Sequence, residues 1–206
     1  MEVTRTYVDG FNLYFGLRQA GFRRYYWLDL SALSKSLLKP DQVFGGCAYF
    51  TSRIRNNGFN QPDMDRQSDY IDALSALPDM HIEFGHFLEK TMTCRQCGSS
   101  WKTFEEKMTD VNLAAKLLCD AEDGAFDTAI IISGDSDLVT PVRHVRRRHP
   151  SKRIVIAEPP RRHSNELRKA ANAYFKIGEA KLRAAQLPET IQLPNGHCLQ
   201  RPASWR

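Results

Sequence analysis

Short runs of β-branched and other apolar residues alternate along the chain with longer segments in which apolar residues recur at helical spacing. The short runs predict buried strands, and the longer segments predict helices that pack one face on a core. The predicted strands are 4–8, 43–52, 80–88, 128–133 and 154–156, and the predicted helices are 12–20, 29–38, 64–77, 107–121, 141–148 and 164–173. Such alternation predicts a three-layer α/β fold around a mainly parallel sheet of about five strands.

The length of 206 residues fits one domain followed by a tail. We assign residues 1–186 to the domain, with an excursion at about 89–104 that contains a Cys-x-x-Cys pair. Three prolines and few regularly spaced apolar residues follow from Leu187. The segment 187–206 is therefore predicted to be a poorly ordered tail.

The composition indicates a cytoplasmic protein that contacts no membrane. No apolar run approaches the ~18 residues of a membrane helix, and Met1 to Val3 lead directly into a strand without a signal sequence. The five cysteines are an odd number, which argues against a disulfide framework. The composition leaves the oligomeric state open, including a homo-oligomer.

Acidic residues follow two of the predicted strands. Asp135 and Asp137 come directly after the apolar run 129–132, and Asp9 ends the first strand, three residues before Asn12. The carboxyl ends of strands are where open α/β sheets place their sites, and paired carboxylates repel each other unless a cation lies between them. Carboxylate oxygens suit Mg²⁺ or Mn²⁺. Asp110, in the first turn of a predicted helix, is either a further member of this set or a helix-capping residue.

The net charge of +5 is concentrated in the second half of the chain. Arg143, Arg146 and Arg147 lie at i, i+3 and i+4 on the predicted helix 141–148, and they predict a basic track for a phosphate backbone. The alternative is a basic helix face that is simply solvated. An acidic pocket in a basic chain is typical of a metal-dependent enzyme that acts on a polyanion.

Two further segments each have two interpretations. Cys94 and Cys97 are half of a zinc site, or they are reduced thiols at the tip of a hairpin. The aromatic and basic segment 22–28 is either a surface on which bases stack or a set of core aromatics in a connection.

Three segments together resemble the NYN domain family of PIN-like nucleases, also known from the LabA group. They are Val8-Asp9-Gly10-Phe11-Asn12-Leu13, then Lys107-x-x-Asp110-Val111, then Ile132-Ser133-Gly134-Asp135-Ser136-Asp137-Leu138. They occur in the family order, and the resemblance extends over roughly residues 3–177. It implies a PIN-like Rossmannoid fold and a Mg²⁺- or Mn²⁺-dependent ribonuclease that acts on RNA, which we expect to be single-stranded.

Site residues follow from the same resemblance. Asp9, Asp110, Asp135 and Asp137 would be the acidic, metal-binding set, and Asn12 would support it. Lys107 would meet the scissile phosphate, and Ser133 would be a minor hydroxyl contact to the substrate. A further acid remains open among Glu105, Glu106 and Asp120.

Two other function classes remain as alternatives. The first is an RNA-binding module without catalysis, since a fold does not ensure activity. The second is a small-molecule phosphatase or a redox enzyme on a similar sheet. The chain lacks the glycine-rich signatures that cradle nucleotide triphosphates or dinucleotides, which argues against the second class.

Overall fold

The computed structural model describes all residues from Met1 to Arg206, and its centre is a sheet of six parallel strands in the order β3-β2-β1-β6-β7-β8. These strands are β1 Glu2–Asp9, β2 Gln42–Thr51, β3 Met80–Phe84, β6 Thr128–Ile132, β7 Arg153–Glu158 and β8 Ala173–Lys176. The predicted mixed α/β class with a mainly parallel sheet is confirmed. The sixth strand, β8, was not predicted, because its four residues are too short to show an alternating pattern.

The direction in which strands are added reverses at the centre of the sheet. The chain builds β1, β2 and β3 toward one edge, and then crosses to the other side of β1 to build β6, β7 and β8 toward the opposite edge. A crevice forms outside the carboxyl ends of two strands whose connections leave in opposite directions. In this fold, that crevice lies at the ends of β1 and β6.

Helices cover both faces of the sheet. They are α1 Gly10–Gln19, α2 Leu30–Ser36, α3 Gln61–Ser75, α4 Thr109–Glu122, α5 Val139–Arg148, α6 Asn165–Ala170 and α7 Glu179–Ala184. Side chains from α1, α2, α3 and α7 share one buried cluster with Val8, and those from α4, α5 and α6 share a second with Tyr7. Successive side chains of β1 are therefore buried on opposite faces of the sheet, as the two-residue repeat of a strand requires. No helix has both the length and the apolar character needed to cross a lipid bilayer.

A β-hairpin stands apart from the sheet where one strand was predicted to continue. β3 ends at Phe84, and after Gly85 the chain forms the antiparallel pair β4 His86–Thr93 and β5 Ser100–Lys107. A Cβ atom at position 85 would lie 2.4 Å from the carbonyl oxygen of Lys107, so only glycine lets the two ends of the hairpin meet so closely. The predicted excursion at 89–104 is thus the outer part of a longer hairpin.

The helix α4 begins later than predicted, and the helix α5 begins earlier. The helix predicted from Lys107 begins at Thr109, because Lys107 still belongs to β5 and Met108 adopts a left-handed φ of 82°. A 3₁₀ turn at Ser136–Leu138 leads directly into α5, which begins at Val139, two residues before the predicted start at 141. Pro141 still lies in the first turn, where the missing N–H has no helical partner to lose.

The segment 187–206 is folded, and the prediction of a poorly ordered tail is wrong. It forms a small hairpin, β9 Thr190–Gln192 with β10 Cys198–Gln200, and a final 3₁₀ turn. Leu187, Leu199 and Trp205 are buried in the same cluster as Trp27, whose indole nitrogen donates a 2.8 Å hydrogen bond to the carbonyl oxygen of Pro188. The widely spaced apolar anchors gave no periodic signal, yet they close one end of the core.

Candidate acidic site

The crevice between β1 and β6 places Asp9 beside Ser133. Val8 is in register with Ile132, so the next residue of each strand lies at the same edge of the sheet. Asp9 is the last residue of β1, and its carboxylate also accepts the backbone N–H of Asn12 at 2.9 Å, which caps α1. The strand end and the helix cap together fix this carboxylate at the switch point.

The hydroxyl of Ser133 connects two of the acidic residues. It donates to Oδ2 of Asp9 at 2.8 Å and accepts the backbone N–H of Asp135 at 3.0 Å. Ser133 is fully buried, and both hydrogen-bonding functions of its hydroxyl are used within the protein. In this structure the hydroxyl orients the acids, and its contact with a substrate stays a prediction.

Asn12 joins the same two loops from the other side. Its Oδ1 accepts the backbone N–H of Gly134 at 2.9 Å, and Asn12 lines a polar cleft together with Asp135. Asn12 is therefore a positioning residue, which holds the two loops together through Oδ1.

Asp110 is the third acid, in the first turn of α4. Burial is the largest cause that raises its pKa from the ordinary value of 3.8 to about 6, and the nearby charges of Asp135, Glu106 and Asp137 contribute to the same rise in that order. Asp137 donates its backbone N–H to Oδ1 of Asp135 at 3.0 Å, while its own side chain is exposed. The repulsion shows that these carboxylates share one electrostatic environment.

Asp9 is the most deeply buried acid of the group, at 4% exposed. Burial raises its pKa to about 7 against the lowering effect of the hydrogen bonds from Asn12 and Ser133, and Asp110 and Asp135 add repulsion. A carboxylate that holds a proton near neutral pH in the absence of a cation is one that a cation would ionise.

The structure brings Asp9, Asp110 and Asp135 together and sets Asp137 at the rim, and it adds Glu106. The Glu106 carboxylate accepts the backbone N–H of Thr109 at 3.1 Å, and it raises the pKa of Asp110. Of the three further candidates, Glu105 pairs with Lys107 and Lys90, and Asp120 pairs with Tyr7, Lys116 and Arg5 near the other end of α4. The sequence offered Glu106 only as one of three, since strand β5 had not been recognised.

The donor chemistry of this cluster fits a hard divalent cation. Its five carboxylates, those of Asp9, Glu106, Asp110, Asp135 and Asp137, take part in none of the ion pairs of the protein. No three acidic, histidine or cysteine side chains are arranged to hold one ion as they stand. Binding of a metal would therefore require side-chain rotation, most easily at the half-buried Asp110 and the exposed Asp137.

A basic loop lines the cleft beside Asp135. It was not predicted to be part of the site. Arg161, Arg162 and His163 share this cleft, whose volume is about 460 Å³, with Asn12. A Cβ atom at Gly134 would lie 2.6 Å from the backbone nitrogen of His163, so glycine allows the two loops to touch. Spacing in sequence gave no sign of this contact.

The loop is anchored at its far end by a buried ion pair. Glu158, at the end of β7, is 1% exposed and accepts two hydrogen bonds from Arg168, at 2.5 and 2.8 Å. Ser164 caps α6 through the N–H of Leu167 at 3.2 Å. Both anchors restrict the backbone between residues 159 and 164, and hence the position of its arginines.

The three arginines of α5 that were predicted to bind the substrate differ in their exposure and in their contacts. Arg146 donates to the backbone carbonyls of Ala170 at 2.7 Å and Ala171 at 3.3 Å, so it joins α5 to the end of α6 and is not available to a substrate. Arg143 and Arg147 are exposed, and Arg147 contacts His144. The role of these two remains a prediction.

Lys107, the predicted phosphate contact, lies at the end of β5. It donates to Glu105 at 2.6 Å, so a substrate phosphate would compete with that carboxylate.

Cys94 and Cys97 lie at the tip of the hairpin as free thiols. Hydrogen bonds from Ser99 and from Cys94 lower the pKa of Cys97 to about 7. No third histidine, cysteine or acidic side chain completes a metal site with them. Within one chain they are therefore free thiols, and Cys97 is the exposed one with the lowered pKa.

Replacing Asp110 by asparagine is expected to stabilise the protein in EDTA at pH 8. The folded-state pKa is raised, so the folded protein holds this proton more tightly than the unfolded chain, and stability falls as pH rises from about 4 to about 6. Asp110→Asn removes the repelled charge and should increase the free energy of unfolding by about 1–2 kcal/mol at pH 8. Urea unfolding at pH 8 and pH 4 measures the difference, which should vanish at pH 4. Asp123→Asn, at the other end of α4, is the control. Equal gains at both pH values would contradict the repulsion.

Comparisons with known proteins agree with this architecture. One relative, the 6-hydroxy-3-succinoylpyridine 3-monooxygenase HspA of Pseudomonas putida (strain DSM 28022 / S16), is 29% identical over an alignment that covers 98% of this chain and 75% of the relative. A crystal structure of a protein of unknown function, VPA0982 from Vibrio parahaemolyticus RIMD 2210633, has the same fold. Its TM-score is 0.53 at 18% identity, with 86% of this chain and 94% of that chain covered.

A third match, to a protein family, covers most of the sheet and all of the acidic residues of the site. NYN domains are a nuclease-type group that generally acts on nucleic acids, and such PIN-like nucleases typically use divalent metals. Residues 4–178 match the NYN domain, and the chain belongs to that family.

Proposed function

We propose that the protein is a divalent-metal-dependent ribonuclease that hydrolyses phosphodiester bonds in single-stranded RNA. The observation that carries the proposal is the set of five unpaired carboxylates around the β1/β6 crevice in a chain of net charge +5. Carboxylates held together against their repulsion raise the free energy of the folded protein, which points to a function that needs them, and a bound cation removes the repulsion.

Asp9, Asp110, Asp135 and Asp137 would hold Mg²⁺ or Mn²⁺, with Glu106 as a fifth donor. These hard cations prefer oxygen ligands. When bound, such an ion polarises a phosphoryl oxygen and lowers the pKa of a coordinated water. Family membership supports the use of a divalent metal, and the choice between the two ions belongs to the proposal.

The residues around the acids would orient the substrate. Ser133 and Asn12 fix the two acidic loops relative to each other, which reduces the reorganisation that the reaction needs. Arg161 and Arg162 line the cleft next to Asp135, and the buried Nε of Arg162 has no hydrogen-bond partner. Guanidinium groups bind phosphate with two parallel hydrogen bonds, so this loop is a suitable cradle for the backbone.

The test is cleavage of end-labelled single-stranded RNA by the purified protein. With Mn²⁺ or Mg²⁺ the RNA should be cut, and excess EDTA should stop the reaction. Cleavage that persists in EDTA would contradict metal dependence. Binding of RNA without any cleavage would support the alternative of a non-catalytic RNA-binding module.

Oxidation of a small aromatic compound is a second candidate, favoured by one observation. The relative whose alignment spans 98% of this chain carries the name of a monooxygenase that acts on a hydroxypyridine. A monooxygenase needs O₂ and a reductant, so the discriminating assay is O₂ uptake with a hydroxypyridine and a reduced pyridine nucleotide. Uptake that depends on both compounds, together with no RNA cleavage, would favour this candidate over the nuclease.

A further inference from the structure

An aromatic groove of about 640 Å³ opens next to the acidic site and has no part in the chemistry proposed above. We call this pocket the aromatic groove. Its wall includes the rings of Phe11, Tyr14, Phe15, Tyr26 and Phe87. Gly10, the residue directly after Asp9, is one of the residues that line the groove. Pockets of this volume are typical of sites for small molecules or parts of larger ones.

Several of these rings are open to solvent. Tyr14 is 43% and Phe15 38% exposed, although both lie on a helix whose other face is buried in the core. The rings contact one another: the centroids of Phe11 and Phe87 are 5.9 Å apart in an edge-on contact, and those of Tyr14 and Tyr26 are 5.1 Å apart at a tilt. Contiguous exposed aromatic surface of this kind marks a binding surface.

The edge of the groove is basic. Arg18 and Arg23 line it, and both are exposed without an ion-pair partner, whereas Arg66 is neutralised by Asp63. The guanidinium of Arg162, from the loop beside Asp135, lies 5.8 Å from the centre of the Phe15 ring. Aromatic faces edged by free arginines suit a ligand that has both flat rings and negative charge.

We infer that the aromatic groove binds unpaired bases of single-stranded RNA, by stacking on Tyr14 and Phe15, while Arg18 and Arg23 contact the phosphates between them. This inference rests on the proposed ribonuclease function and specifies its substrate subsite. Gly10, which lines the groove, directly follows Asp9, and Arg162, which lies beside Asp135, also lies over the Phe15 ring, so one strand can occupy the groove and the acidic site together. Stacking uses the face that every base has, so the groove favours unpaired bases over a particular sequence.

The experiment measures the affinity of fluorescein-labelled RNA of about ten nucleotides, in EDTA so that no cleavage occurs. A matched oligonucleotide with abasic sites has the same phosphates and no bases. Tyr14→Ala and Phe15→Ala are each expected to weaken binding of the RNA roughly 10-fold, with no change for the abasic strand. Tyr14→Phe should retain the affinity, because the ring face is kept. Trp101→Ala removes a ring that is 51% exposed on the hairpin, and it is the control.

Each outcome separates the groove from the nuclease. RNA binding with the expected losses but no metal-dependent cleavage would support the groove and contradict the proposed function. Metal-dependent cleavage with unchanged affinities in both alanine variants would overturn the groove and leave the nuclease in place. Equal losses for the abasic strand, or binding of a hydroxypyridine without any binding of RNA, would also overturn it.

Discussion

Asp135→Asn is expected to reduce metal-dependent RNA cleavage by about 10²–10⁴-fold while the protein stays folded. Asp135 is half-buried, and it raises the pKa of both Asp9 and Asp110 through its charge. Losing that charge relieves repulsion, so the fold should not suffer. The cation, however, would lose a ligand at the point where β6 delivers it. Initial rates in saturating Mn²⁺ measure the loss.

Two controls make this result specific. Asp123→Asn changes a carboxylate at the opposite end of α4, a 14-residue helix about 20 Å long, and its cleavage rate should match the wild type. The urea midpoint of Asp135→Asn in EDTA should be equal to or above that of the wild type. A variant that cleaves RNA at the full rate would remove Asp135 from the proposed site.

Trp205→Ala is expected to lower the free energy of unfolding by about 3–5 kcal/mol. The Trp205 ring is 9% exposed, and it packs with its centroid 5.7 Å from Tyr26, 6.1 Å from Tyr70 and 6.2 Å from Trp27. The truncation opens a cavity under three aromatic rings. Urea denaturation at pH 7 measures the change.

The matched control for this prediction is Trp101→Ala. Because Trp101 is 51% exposed, its replacement should change stability by no more than about 0.5 kcal/mol. A small effect of Trp205→Ala would mean that residues 187–206 rest on the domain without contributing to its core.

The sequence predicted the parallel sheet and the helices that cover it where the local pattern was strong. The run 129–132 was identified because a short, continuous apolar run predicts a strand that is buried on both faces, and all four residues are buried. β8 and the tail were missed since their apolar residues are few and far apart. These elements are fixed by long-range packing, to which periodicity is insensitive.

The candidate site was predictable only in part, for a similar reason. Asp9 and Asp135 follow strands, and the parallel sheet alone brings them to one edge. Glu106 lies beside Asp110 because its carboxylate accepts the N–H of Thr109, three residues on, at the end of a strand that was not predicted. The loop at 161–164 reaches the acids through a tertiary contact at Gly134. The engagement of Arg146 with the end of α6 could not be read from helical spacing, because that acceptor comes from another element.

The hairpin of β4 and β5 has a consequence for how members of this family could differ from one another. Its base carries Phe87 opposite Glu106, one in the aromatic groove and the other beside Asp110. Its tip at 94–99 is exposed apart from the half-buried Cys94. Because pairing alternates every two residues, the arms could be lengthened or shortened in steps of two without changing the register at the base. Relatives could therefore differ in the whole tip while they retain the same residues at the base, beside the acidic site.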